Sequence, residues 1–259
     1  MFLKYQNRKF WTRNRVEDPC YHQSKVWSDE YLRLTYKEIL DYQLSLSRKA
    51  LKDKVVVELG SAGGVTKLLY PEIYTTDVRI QTGVDYELND DFSLPFTSAS
   101  VDYIVAKDVL HHISDAQAHF LEVERVLKIG GSVIYAEPNW NTLSRIVFTF
   151  LHPEIFNDRQ IGWKFTSPDP MYSNQALPYL IFIRDIDVFK SLNPNLRVEI
   201  HPKRMNGLSF LLSGGVSNRS FIPSKFLLYL RRFEVRNKFI MALFGTTRII
   251  QVTKIERRV

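Results

Sequence analysis

Val55-Val56-Val57-Glu58-Leu59-Gly60-Ser61-Ala62-Gly63-Gly64 decides the fold. A run of β-branched residues enters a glycine turn, and the helix-like VTKLLY follows, stopping at Pro71. Glycines let the backbone turn tightly and approach a ligand without a Cβ in the way. The spacing is E-x-G-x-x-G-G rather than the dinucleotide fingerprint G-x-G-x-x-G, which argues against a nicotinamide-dependent oxidoreductase. A carboxylate at Glu58 suits a cationic ligand better than a pyrophosphate. The plain reading is a tight turn that binds nothing.

Working outward, Ile73 to Thr76 reads as a second strand ending at Asp77, and a third lies near Tyr86–Leu88. Val101 to Ala106 is a fourth strand and Ser132 to Ala136 a fifth. Ala116 to Leu127 has helical periodicity and is expected to stop at Gly130-Gly131. Short buried-type strands alternating with helices predict a parallel α/β sheet up to about residue 138. Upstream, residues 28–50 read as a helix with Ser28 as N-cap. Downstream, Ile186 to Leu192 is expected as a helix, with strands at Leu196 to Ile200 and Ile249 to Ile255.

Strand ends in such sheets carry the ligand. Asp77, at the end of the second strand, can accept both hydroxyls of a ribose, or simply cap a helix. The turn Asp90-Asp91-Phe92 follows the third strand, where an acid can contact an adenine amino group and Phe92 can pack on the ring. Its plain reading is an exposed acidic turn.

The stretches LPFTSASVDYIVAKDVLHHI and FLEVERVLKIGGSVIYAEP carry a resemblance. Together with Glu58, Gly60, Gly63, Asp77, Asp90, Val101-Asp102, His111-His112 and the RVLKIGG segment at 125–131, they resemble the class I S-adenosylmethionine-dependent methyltransferases, type 11 group. The departures are Ala62-Gly63-Gly64 in place of G-x-G and Ile129 where proline is usual. The resemblance is specific over roughly residues 53–138. Beyond it, EPNWNTLSRIVFTFLHPE, ALPYLIFIRD and LLSGGVSNRSFIPS are similar to bacterial methyltransferases associated with polysaccharide biosynthesis.

The resemblance implies a Rossmann-like seven-stranded sheet with the last strand antiparallel. It implies S-adenosylmethionine bound at Glu58, Gly60, Ser61, Ala62, Gly63, Asp77, Val78, Asp90, Asp91, Phe92 and Lys107. The reaction is an in-line displacement, in which catalysis comes mostly from holding the acceptor near attack distance. An oxygen acceptor also loses a proton, and the candidate bases are His111, His112 and Asp108. One of a His-His pair on a short helix is commonly packed in a core, and a reaction without a base stays open. Glu137, at the end of the fifth strand, faces the same crevice and can touch substrate or hold a lid. His111, His112, His119 and Asp115 do not form a metal-ligand spacing with a clear third ligand, so no metal is expected.

Composition bounds the rest. The 259 residues are 45% hydrophobic and 24% charged, which excludes a disordered chain. One cysteine, Cys20, excludes an intramolecular disulfide framework. The longest uncharged stretches, such as Pro170 to Ile183, fall short of the roughly 20 apolar residues a spanning helix needs. The N-terminal stretch MFLKYQNRKFWTRNR has scattered charges and no apolar segment, so a cytoplasmic protein is expected.

The organisation expected is an N-terminal helical segment over 1–52 and a methyltransferase domain over 53–259. Insertions at about 139–183 and 202–248 cap the acceptor pocket. Trp140, Trp163, Phe165 and Tyr172 can stack on sugar faces or form the cap's own core. Gly214-Gly215 is either a close backbone approach or a plain turn. The net charge of +7 is concentrated at both ends. The segment 225–239, KFLLYLRRFEVRNKF, is basic and amphipathic, and suits either a core-packed helix or contact with an anionic membrane face. The expected activity is methyl transfer to a hydroxyl of a small molecule or saccharide, such as a nucleotide sugar or lipid-linked glycan. The alternatives are an RNA methyltransferase, for which no N-P-P-Y-type motif follows the fourth strand, and a non-catalytic nucleotide-binding protein.

Overall fold

The computed structural model describes residues 19–47, 52–89, 93–152, 154–166, 173–216, 220 and 222–256. Seven strands form one sheet in the order β3-β2-β1-β4-β5-β7-β6. They are β1 Val56–Leu59, β2 Tyr74–Asp77, β3 Tyr86–Glu87, β4 Val101–Lys107, β5 Leu127–Pro138, β6 Leu196–Met205 and β7 Thr247–Lys254. β1 to β5 pair in parallel, and β7 runs antiparallel between β5 and β6. This is the Rossmann-like seven-stranded sheet with an antiparallel last strand that the resemblance implies. β1 and β4 are buried along almost their whole length because helices cover both faces of the sheet.

The helices with regular α geometry are α1 Pro19–Ser28, α2 Glu30–Ser45, α3 Val65–Leu69, α4 Ala116–Val126 and α5 Thr142–Ile146. They continue with α6 Leu177–Tyr179, α7 Ile186–Leu192, α8 Leu208–Ser213, α9 Ser224–Arg236 and α10 Lys238–Phe244. α2 covers one face, where Ile39 packs with Ile134, Ala136 and Ile249, and Leu40 and Leu44 with Val56 and Val105. Buried Gln43 on the same helix donates to the carbonyls of Ala106 and Ile134 at 2.9 and 2.7 Å, pinning helix to sheet. On the other face Phe120 of α4 meets Phe182 and Phe189 edge to face, with centroids 5.9 and 4.9 Å apart. That contact roots the segment after residue 173 in the main core.

Three boundaries differ from the sequence reading. The N-cap of α2 is Asp29, whose carboxylate accepts the N–H groups of Tyr31 and Leu32, while Ser28 ends α1. Asp is as good a cap as Ser, and here its oxygen reaches both orphan donors. α4 stops at Val126, not at the glycine pair, because Leu127 turns extended to pair with Val101. Gly130 and Gly131 therefore lie inside β5, with Gly130 at φ +80° where the register shifts against β4. The bend is clamped by Asp102, which accepts from Val55 N–H and pairs with Lys54 and Lys128. Finally, β6 continues past Ile200 to Met205, so the downstream insertion is α8 to α10.

Candidate functional site

The carboxyl ends of β1, β2 and β4 open into one cavity of about 590 Å³, within the usual range for a small-molecule site. Glu58, Gly60, Ser61, Ala62, Asp77, Val78, Lys107, Asp108 and His112 all line it. Gly63 stays in the turn behind it. Asp90, Asp91 and Phe92 lie outside the described residues.

The first wall is the β1–α3 turn. Gly60 sits at φ +70°, and a Cβ there would meet Val109 Cγ2 at 2.5 Å, so the turn leaves no room for a side chain. Ala62 occupies the left-handed region at φ 45°, held by its N–H, which donates to Asp77 Oδ2 at 2.7 Å. Non-glycine residues in that region cost energy and gather at functional sites. Asp77 Oδ1 also accepts the Arg79 N–H at 3.2 Å, which leaves lone pairs of both oxygens for a ligand. Burial pushes the Asp77 carboxyl up, and the backbone N–H donors pull it back. Glu58 accepts from the hydroxyls of Ser61 and Thr66. Its carboxyl too is pushed up by burial.

The second wall comes from β4 and the N-terminal helices. Lys107 pairs with Asp108, and its ammonium lies 4.4 Å from the centroid of the Tyr36 ring. Burial works against that charge, but Asp108 and Tyr36 outweigh it and raise the Lys107 pKa. Asp108 is also left-handed, at φ 55°. Desolvation works against its charge, and Lys107 and His111 hold its pKa below the ordinary carboxylate value. Tyr36 and His22, 3.2 Å apart, line the cavity from α2 and α1. Nothing in the sequence marked them, since they lie upstream of every motif.

The third wall is a histidine–carboxylate cluster. Glu137 is fully buried; Oε1 accepts the N–H groups of Val109 and Leu110 at 2.9 and 2.7 Å. Its Oε2 lies 2.6 Å from His111 Nδ1. So Glu137 braces the short 3₁₀ turn Leu110–His112 and does not line the cavity. His111 is 2% exposed, and its Nε2 lies 3.4 Å from Glu154 Oε2. Desolvation opposes its charge, yet Glu137 and Glu154 push its pKa up to about 10. His112 reaches the cavity, with Nε2 3.9 Å from Glu154 Oε1, and is pushed down to about 4 by burial and by neighbouring His111. The two imidazoles lie side by side with their planes tilted by 39°, 4.4 Å between centroids. Sequence reasoning missed Glu154. It arrives from the cap, where Ile155 bridges to Asn174 and the Asn174 N–H donates to the His111 carbonyl at 2.9 Å. His119 also borders the cavity, bonded to the Tyr135 hydroxyl at 2.6 Å; Asp115 instead caps α4.

The cap aromatics divide. Phe165 faces the cavity. Trp163 is buried and donates to Asp185 at 3.0 Å, and Trp140 packs near Tyr179 under Arg248, so both are structural. Tyr172 lies outside the described residues. Gly214-Gly215 ends α8 and does not touch the cavity.

Residues 25–135 match the family model of the methyltransferase domain. A curated relative is 36% identical over 61 residues: an uncharacterized 37.1 kDa protein in transposon TN4556 of Streptomyces fradiae. The match covers 24% of this chain and 18% of that protein. Among solved structures, the YcgJ protein of a Bacillus is similar at TM-score 0.45 and 17% identity, over 79% of this chain and 93% of that one. The CurJ carbon methyltransferase is similar at TM-score 0.48 and 15% identity, over 90% and 58%. The family-model match is to the type 11 methyltransferase domain and spans less than half of the chain. The site fits S-adenosylmethionine as methyl donor: a glycine at position 60 where no Cβ has room, a buried acid with open lone pairs at Asp77, and a carboxylate at Glu58. Gly60→Ala should lose S-adenosylhomocysteine binding at least tenfold in calorimetry, because its Cβ displaces Val109 at φ +70°.

Proposed function

We propose that this methyltransferase moves the methyl group to a hydroxyl of a small-molecule or saccharide acceptor, presented at an anionic membrane face. The observation that carries the reading is the polar end of the cavity, where Asp108, His112 and Glu154 converge beside the cofactor turn. The methyl donor occupies the β1–β2 side, with Asp77 accepting from the ribose hydroxyls and Glu58 facing the cationic portion of the molecule. Ser61, Ala62 and Val78 line its path, and Lys107 closes the far wall.

The acceptor oxygen attacks the methyl carbon in line with the departing sulfur. The carbon–sulfur electron pair stays on sulfur, giving neutral S-adenosylhomocysteine. The acceptor proton passes to Asp108 or His112, the two candidate groups that face the cavity. His111, walled off between two carboxylates, positions its neighbours. Phe165 offers the acceptor its one aromatic face among the described cap residues considered above.

The membrane part of the reading rests on α9 and α10. Phe226, Tyr229 and Phe233 are 56, 72 and 56% exposed at helical spacing, and Phe239 follows at 76%. Exposed Lys225, Arg232, Arg236 and Lys238 flank them. Leu227 and Arg231 turn the other way: Leu227 is in the core, and Arg231 is buried on Glu38 at 2.7 Å. A stripe of exposed aromatics among cations suits a headgroup–acyl boundary. Among the described residues no helix is long and apolar enough to cross a membrane.

Two experiments test the reading. In calorimetry, S-adenosylmethionine and S-adenosylhomocysteine should bind at micromolar Kd and Asp77→Ala should abolish binding; a folded protein that binds neither overturns the donor assignment. In flotation, the protein should rise with vesicles containing phosphatidylglycerol and stay behind with pure phosphatidylcholine. The triple variant Phe226→Ser, Tyr229→Ser, Phe233→Ser should stay behind in both; equal flotation of variant and parent contradicts the membrane face.

A further inference from the structure

Three ligand-type atoms at the polar end of the cavity, two on its wall and one just behind it, lie within 4.8 Å of one another: one each from His112 and Glu154, and one from His111. The paired distances are 3.4 Å from His111 Nε2 to Glu154 Oε2 and 3.9 Å from His112 Nε2 to Glu154 Oε1. Ligand atoms held about 2.0–2.2 Å from a tetrahedral zinc ion stand roughly 3.3–3.6 Å apart. The two measured separations thus match, or come within a few tenths of an ångström of, those around a shared cation, and the third lies within 4.8 Å.

The surroundings point the same way. His111 gives its other ring nitrogen to Glu137 at 2.6 Å, and that carboxylate is fixed by two backbone N–H groups. A carboxylate behind a histidine orients the ring and raises its basicity, which is the usual support of a metal-bound imidazole. Glu154 is fixed in turn by the Ser173 hydroxyl at 2.8 Å and by the Gln175 amide. Gln175, 4% exposed, turns its NH₂ toward Glu154 and toward His111 Nε2 at 3.2 Å, while its Oε1 is buried without a partner. Turning the amide over would bring that orphaned oxygen toward the cluster as a further donor. Two imidazoles and one carboxylate are a donor set for a first-row transition ion rather than for magnesium or calcium.

We propose that His111, His112 and Glu154 bind a divalent transition-metal ion of the zinc type, with Glu137 as the positioning residue behind His111. This deepens the hydroxyl-methylation reading and rests on it for the ion's role. The remaining coordination position faces the cavity, where the acceptor hydroxyl would sit. Coordination lowers the pKa of that hydroxyl. The proton leaves to Asp108 or water, the oxygen's electron pair forms the oxygen–methyl bond, and the carbon–sulfur pair stays on sulfur. The sequence reading expected no metal. Its cluster of His111, His112, His119 and Asp115 is not the one that assembles, because the third ligand comes from the cap.

Cobalt(II) is the probe. Titrated alone into chelator-stripped protein, it should bind at one equivalent and give visible bands of a four- or five-coordinate site, and zinc should displace it. Glu154→Gln and His112→Ala should each remove the bands while S-adenosylhomocysteine still binds within about threefold of the parent, which certifies the fold. Glu137→Gln should keep the bands and weaken affinity roughly 10–100-fold. Binding below a tenth of an equivalent overturns the proposal and leaves His111 as a charged bridge between carboxylates. Cobalt bands that survive Glu154→Gln overturn it too. If cobalt binds as described but S-adenosylhomocysteine does not bind the parent, the metal site stands and the methylation reading falls.

Discussion

A carboxylate buried at the end of β5 sets the geometry on which the site depends. Glu137 is fully buried, and a charge there is tolerable only if its oxygens are saturated with donors. Val109 N–H, Leu110 N–H and His111 Nδ1 supply them. Those donors fix the chain as it leaves β4, and so fix where Val109 presses against Gly60. They also fix the ring of His111, from which Glu154 and Gln175 of the cap take their places. One buried acid therefore couples the β1–α3 turn, the polar end of the cavity and the cap.

The rest follows from strand order. The strand order reverses between the parallel neighbours β1 and β4, and the crevice outside their carboxyl ends is where an open α/β sheet receives a ligand. The N-terminal helices deepen that crevice instead of forming a separate body: α2 shares its core with β4 and β5 and sends Tyr36 over Lys107. Two of the five non-glycine residues at positive φ among the described residues, Ala62 and Asp108, stand on its rim. Such strain persists only where surrounding bonds over-determine the backbone, as Asp77 does at Ala62.

The sheet was legible because strand periodicity and glycine turns are local signals. Glu58, Gly60 and Asp77 could be placed from them, and the cavity brings these together. Gly130-Gly131 misled because a glycine pair marks a helix end and a strand bulge equally well; the pairing of Leu127 with Val101, a long-range fact, decides between them. Arg231 read as part of a basic face, yet one helical turn places it on Glu38 instead. Glu154 and Gln175 were illegible for a deeper reason. The cap has no periodicity, and its residues meet His111 only through a bridge between Ile155 and Asn174 that no spacing encodes. Likewise the split of the His-His pair, one ring buried and one facing the cavity, depends on Glu137 rather than on either histidine.

The account's central claim is that the Glu137-braced cluster forms the acceptor end of the methyl donor's own pocket. A crystal structure with S-adenosylhomocysteine tests it most directly. The account predicts the ribose hydroxyls on Asp77 and the sulfur turned toward His112 and Glu154, with space for one acceptor hydroxyl between. A sulfur directed away from that cluster, or a ligand bound elsewhere on the protein, would contradict it.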